Sequence, residues 1–249
     1  MLMIAVLFSL AFLSRGLTVI FARPLESSSA VSHNKLAFVK LRIEGAQKTI
    51  FEGRILTFGH RITTPSGGTH KCDGTNNDAN PKPGPTCTTA LFDAGKIHGF
   101  DFDGTFDTTF DDYFITSIGG DAQTSTQFWG LLVNYQFAPT GGCQSQVSSA
   151  DEILWAFDAF SKNHFLKLEA PITVKKGTSA QLKVTDGMTG APVSGATVEE
   201  MHGSNTAAIG TSTDDGYISV DFPHVGVYTF KASKDDSIRS NGVAIIVTP

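Results

Sequence analysis

Residues 127–135 read QFWGLLVNY, Gln127 to Tyr135. Phe128, Gly130 and Leu132 alternate with Trp129, Leu131 and Val133, so the run is apolar on both faces. A strand of that kind is covered on both sides and sits centrally in a sheet. Upstream, LAFVKLRI (residues 36–43) sets Ala37, Val39, Leu41 and Ile43 against Phe38, Lys40 and Arg42, the period-two pattern of a half-buried strand. Glu44 to Gln47 is a turn, and KTIFEGRILT (residues 48–57) closes a hairpin. Thr88 to Ala94 reads as a short helix, with threonine capping its start and Gly95 ending it. DYFITSI (residues 112–118) and ILWAF (residues 153–157) are further strands. The order strand, strand, helix, then three strands predicts one helix laid across a mixed sheet, the β-grasp arrangement.

Beyond Leu168 the texture changes. Short β-branched runs at Pro171–Val174, Ala180–Val184, Ala196–Val198, Tyr217–Phe222, Val227–Ala232 and Val243–Val247 are separated by Gly177, Asp186-Gly187, Gly190, Gly195, Asp215-Gly216, Gly226 and Asn241-Gly242. Turns at such intervals without helical periodicity indicate a β-sandwich. This half has no Cys and no Trp, so apolar packing alone must hold it. The expected class is mainly β, with an α+β first domain over 35–164 and an Ig-like β-sandwich over 168–249. The short link near His164–Ala170 implies touching domains.

The chain has 249 residues, 41% hydrophobic and 17% charged, enough apolar material for packed cores. A net charge of −5 with no basic stripe argues against nucleic acid as a partner. Residues 1–22 are apolar but broken by Arg15 and Gly16, too short before Arg15 to span a bilayer, which needs about 20 residues. They read as a secretory signal, without its usual N-terminal Lys or Arg, with an uncleaved anchor as the alternative. The mature chain is then extracellular, free or attached to a cell surface, and has no membrane span. Residues 23–34 form a Ser-rich lead-in. Of the three cysteines, Cys72 and Cys87 flank DGTNNDANPKPGPT, a loop with almost nothing to bury. A Cys72–Cys87 disulfide would order it, removing about 3 kcal/mol of unfolded-state entropy. Cys143 could instead take either partner.

Phe128 to Asn134, followed by SADEILWAF (residues 149–157), resembles the transcobalamin-like C-terminal domain family: a Trp strand ending in Val-Asn, then an acidic pair entering a strand with Trp and an aromatic. Thr49 to Gly53 and Gly68 to Asn77 resemble secreted surface proteins that carry such a domain. The likeness spans about residues 35–160 and implies a soluble-ligand-binding β-grasp fold. In transcobalamins this domain is half of a clamp whose other half is a helical barrel. No barrel is present here, so cobalamin is not implied and no cofactor is expected. GAPVSGATV (residues 190–198) and GVYTFKA (residues 226–232) resemble the Ig-like modules of adhesion proteins.

Trp129, Asn134, Tyr135 and Trp155 are the candidate ligand-binding residues, because an aromatic offers a flat apolar face with a polar edge, suited to sugars or planar molecules. The competing reading places both tryptophans in the core and Asn134 in a turn. The acidic stretch Asp101–Asp112 has Phe106 where a calcium-binding loop needs glycine, and His60 and His70 are too far apart for a paired zinc site. No metal site is expected. Gly-x-Ser-x-Gly, His-Glu-x-x-His, Cys-x-x-Cys and phosphate- or dinucleotide-binding glycine motifs are all missing, so no enzyme is indicated. Two functions remain: a secreted module binding a small molecule or glycan through the β-grasp face, or an adhesion protein that contacts extracellular surface components without a pocket.

Overall fold

The computed structural model describes residues 35–203 and 205–249. The expected export signal lies outside the described residues. No described helix is long and apolar enough to cross a membrane.

The first half runs β1 (Leu36–Glu44), β2 (Thr49–Phe58), β3 (His60–Thr64), β4 (Gly68–Cys72), α1 (Cys87–His98), β5 (Phe102–Asp107), β6 (Asp112–Ile118), β7 (Asp121–Ala122), β8 (Trp129–Val133), β9 (Gln136–Phe137) and β10 (Glu152–Phe157). The main sheet has the order β2-β1-β10-β8-β9. β1 and β10 lie side by side and parallel, and every other pairing in it is antiparallel. α1 packs on one face, which makes this the β-grasp arrangement expected from the sequence. The hairpins β3–β4 and β5–β6, the latter extended by β7, are separate small sheets. β5 takes in Asp103 and Asp107 of the acidic stretch weighed above.

α1 is longer than its sequence reading. Its cap is Thr86, whose hydroxyl accepts from the Thr89 N–H, and it ends at Gly99 in the left-handed region, φ 75°. Gly95 lies inside the helix rather than ending it. A Cβ there would come within 2.8 Å of the Phe100 carbonyl oxygen, so the glycine admits the returning chain.

The second half contains β11 (His164–Glu169), β12 (Thr173–Lys175), β13 (Ser179–Asp186), β14 (Thr197–His202), β15 (Asn205–Thr211), β16 (Tyr217–Asp221), β17 (Gly226–Ser233), β18 (Ser237–Ile238) and β19 (Val243–Thr248). Sheets of order β16-β13-β11-β18 and β12-β19-β17-β14-β15 face each other. Their shared core includes Leu166, Leu182, Val184, Val198, Phe222, Phe230 and Ile245. The segment read as a link is strand β11, a member of the first of these sheets.

Two cores flank the main β-grasp sheet. Val39, Leu41, Ile43, Ile153 and Trp155 meet Ala90, Leu91 and Ala94 of α1 on one side. Leu132, Leu154 and Ala156 on the other side meet Phe165 and Ile238 of the sandwich. The second core is the reason residues 127–135 are apolar on both faces: one face meets the helix and the other meets the second half.

The cysteine pairing corrects the sequence expectation. The disulfide joins Cys72 to Cys143, and Cys87 is free and fully buried. Gly74 donates to the Cys143 carbonyl at 2.9 Å, bringing that loop beside the end of β4. The loop after Cys72 is ordered by side-chain amides instead of by a Cys72–Cys87 bond. Asn76 donates to the Lys71 and Asp111 carbonyls, Asn80 to those of Gly74 and Gln144, and Gln146 to those of Asp73 and Lys82. Burial pushes the Cys87 thiol far above its usual pKa, which leaves it unreactive.

Candidate functional site

The four residues singled out in the sequence divide between two places. Trp129 and Trp155 stand on β8 and β10 with their side chains on the helix side of the sheet, consistent with the alternation of each strand. Both are largely buried, and both line a cleft of about 250 Å³ beside β8. Tyr113, Phe114 and Ile115 of β6 line it together with Phe137 and Phe160. Phe137 and Phe160 stack with ring centroids 5.3 Å apart and planes 12° apart. Phe160 is 67% exposed and Phe114 49%, so the mouth of the cleft carries aromatic surface that the fold leaves in water. Exposed apolar clusters of this kind mark binding surfaces more often than single exposed residues do.

The polar edges of the tryptophans differ. Trp129 Nε1 donates to the Asp121 carbonyl at 3.0 Å. Trp155 Nε1 and the Thr88 hydroxyl are buried and find no hydrogen-bond partner among the described residues. Gly142 holds the Thr88 and Trp155 side chains close together, since a Cβ there would collide with the Thr88 Oγ1 and reach within 3.3 Å of the Trp155 ring. Among the described residues, no Asp, Glu, Lys or Arg lines the cleft.

The loop that contributes Thr140, Gly141 and Gly142 to its lining is held by Asp112. That carboxylate accepts from the Cys143 N–H at 3.0 Å, from Gln144 at 3.2 Å and from Tyr113 at 2.7 Å. Burial pushes the Asp112 carboxyl up to about 6 even though all three donors pull the other way.

Asn134 and Tyr135 lie elsewhere. Both have positive φ, 50° and 62°, and form the two-residue turn between β8 and β9. The Asn134 side chain donates to Asp151 Oδ1 at 2.9 Å and accepts from the Glu152 N–H at 3.0 Å, which fixes the turn. Tyr135 points to the opposite face, into the junction between the two halves. Its hydroxyl accepts from Arg42 at 3.3 Å and donates to Asn241 Oδ1 at 3.2 Å. Burial pushes that hydroxyl up to about 12 despite the Arg42 charge. A second cleft of about 180 Å³ lies there, lined by Arg42, Glu52, Arg54, Glu152 and Asn241 among others. Several of its charges are already matched: Lys40 meets Glu152 at 2.6 Å and Glu52 meets Lys231 at 2.7 Å. The structure therefore brings Trp129 and Trp155 into one site and assigns Asn134 and Tyr135 to a turn and an interface. Phe114, Phe137 and Phe160 join the site without a sequence signal that sets them apart from other phenylalanines.

His60 is the other notable ionisable group. Burial pulls its pKa down, but the hydrogen bond and charge of Asp93, 3.0 Å away, and the Arg61 carbonyl outweigh that and raise it. Among the described residues no three His, Cys, Asp or Glu side chains converge on a point that could hold a metal ion.

Residues 85–159 match the profile of a domain of unknown function, DUF4430. The matched span begins just before α1 and ends after β10, and it contains both tryptophans and the loop fastened by Asp112. A Thermotoga maritima protein described as a superoxide reductase superposes with a TM-score of 0.27 and 16% identity, over 35% of this chain and 89% of its own. A likeness that slight carries no argument about fold or function. No curated protein matches the chain.

Proposed function

We propose that the protein is a secreted, non-enzymatic binding module whose site is the aromatic cleft beside β8. The single observation that carries this reading is the convergence of Trp129, Trp155, Phe137 and the exposed Phe114 and Phe160 on one uncharged concavity. Unbound, those phenylalanines leave apolar surface in water, and a flat apolar ligand group would remove it at about 25 cal/mol per Å². Among the described residues the lining has no acidic or amide side chain to bond sugar hydroxyls, so of the ligand classes the sequence suggests, an apolar planar group suits it better than a glycan. The resemblance of residues 35–160 to transcobalamin-like C-terminal domains supports a ligand-binding role without supplying a ligand. The sandwich half would then support the module. An adhesion role without a pocket is the competing reading, favoured by the Ig-like texture of that half.

The test is a calorimetric titration with a planar aromatic probe such as 2-naphthol. Saturable one-site binding is expected. Phe160→Ala, at an exposed position, should weaken it several-fold, because an aromatic pair contributes about 0.5–1.5 kcal/mol, and should leave the thermal midpoint unchanged. Equal binding by wild type and Phe160→Ala would remove the cleft as the site.

A further inference from the structure

The cleft has a feature that its aromatic lining does not explain. Phe128 accepts from the Asp158 N–H at 2.8 Å, and Asn134 donates to the Glu152 carbonyl at 2.8 Å. Even-numbered residues of β8 therefore turn their backbone groups toward β10. By strand alternation Trp129, Leu131 and Val133 turn theirs away from it. β9 covers that outer edge only opposite Leu132 and Val133. Beyond it, Ala138 donates to the Leu131 carbonyl at 3.0 Å, and there the pairing stops. The Trp129 carbonyl and the Leu131 N–H are left pointing outward with no backbone partner among the described residues. Trp129 and Leu131 both line the cleft.

An acceptor and a donor two residues apart on one strand edge are the pair that a single residue of an added strand satisfies. Building on the binding reading above, we infer that the ligand is an extended, uncharged peptide segment that adds to the outer edge of β8. One of its residues donates its N–H to the Trp129 carbonyl and accepts from the Leu131 N–H. A neighbouring aromatic or aliphatic side chain enters the cleft between Phe114 and the Phe137–Phe160 stack. The electrostatics agree: the backbone dipoles of the edge are complementary to those of a peptide, and among the described residues no Asp, Glu, Lys or Arg lines the cleft to pair with a charged one. A planar molecule without an amide could fill the aromatic space, but it would leave both backbone groups unpaired.

The experiment compares three probes on the intact protein by calorimetry. They are a blocked hexapeptide of alternating Phe and Thr, the same peptide N-methylated at one position in turn, and 2-naphthol. The expected result is saturable binding of the parent peptide, weakened at least tenfold by N-methylation at one alternate position and little at its neighbours. Leu131→Pro, which removes the edge N–H, should reproduce that loss toward the parent peptide. Proline is tolerated at an edge position whose N–H faces away from the sheet, and the N-methylated peptides carry the test even if this variant fails to fold. Equal binding of every methylated peptide, or binding of 2-naphthol without the peptide, overturns strand addition and leaves the aromatic cleft standing. No binding by any probe overturns both readings. Concentration-dependent dimerisation abolished by Leu131→Pro would put a second copy of this chain on the edge and overturn the inference of a separate peptide ligand.

Discussion

Asp112 fastens the loop beside the cleft with a carboxylate that burial makes hard to ionise. Its folded-state pKa, pushed up to about 6, lies above the ordinary value of 3.8, so the folded chain holds this proton more tightly than the unfolded chain does. The stability it contributes is full below about pH 4 and is lost as the pH rises through 6, an effect on the order of 3 kcal/mol. The urea midpoint of the wild type should therefore fall between pH 4 and pH 7 relative to that of Asp112→Asn, which cannot ionise there. A difference between the two that does not vary over this range would show that burial does not govern Asp112. Single residues also show where sequence reading stops. Trp129 and Trp155 are legible as candidates because two tryptophans on neighbouring strands stand out from the chain. Asn134 is legible as a turn residue. Phe160 is not legible, because its role depends on the turn after β10 bringing it over Phe137, a contact that no local pattern encodes.

At the scale of elements, the strand hairpin, the helix and the mixed sheet follow from period-two alternation, a threonine cap and the order of the segments. The β3–β4 and β5–β6 hairpins are harder to see, because they are short, polar and interrupted by glycine. The disulfide is misread for a physical reason: the loop after Cys72 lacks apolar residues, so closure by Cys87 looks necessary. The Asn76, Asn80 and Gln146 amides do that work instead, and such long-range side-chain to backbone bonds leave no spacing signature. The Cys72–Cys143 bond closes a span of 71 residues, and its removal should lower stability by about 4 kcal/mol. Non-reducing peptide mapping should recover Cys72 linked to Cys143, with Cys87 alkylated only after unfolding. A Cys72–Cys87 peptide would contradict this arrangement.

At the scale of the whole described fold, the two halves are joined by an apolar core and by a buried ion cluster. Glu44, 1% exposed, meets Lys231 at 2.8 Å and Arg239 at 2.9 Å, with Arg42 at 3.7 Å. Lys231 also reaches Glu52 at 2.7 Å. Removing the central charge with Glu44→Gln leaves Arg42 and Lys231 buried with fewer partners and should cost about 3 kcal/mol. Both tryptophans lie in the first half, so indole fluorescence reports that half alone. In the wild type its denaturation curve should coincide with far-ultraviolet circular dichroism, and in Glu44→Gln the two should separate. Coincident curves in the variant would show that the apolar core alone couples the halves. The sandwich itself is legible from its evenly spaced turns. The docking is not, because Arg42 and Glu44 on β1 find their partners only when residues near 231 and 239 fold back onto that strand.

The central claim is that the cleft beside β8 is the ligand site, and the two indole N–H signals in a nitrogen–proton correlation spectrum test it most directly. Trp129 Nε1 is bonded to the Asp121 carbonyl, and Trp155 Nε1 is buried with no partner among the described residues, so the two should resolve. On titration with the blocked Phe-Thr peptide both signals should shift along one saturable curve, together with the Leu131 amide. Binding that moves backbone amides of the second half, while both indoles and Leu131 stay fixed, would contradict the account.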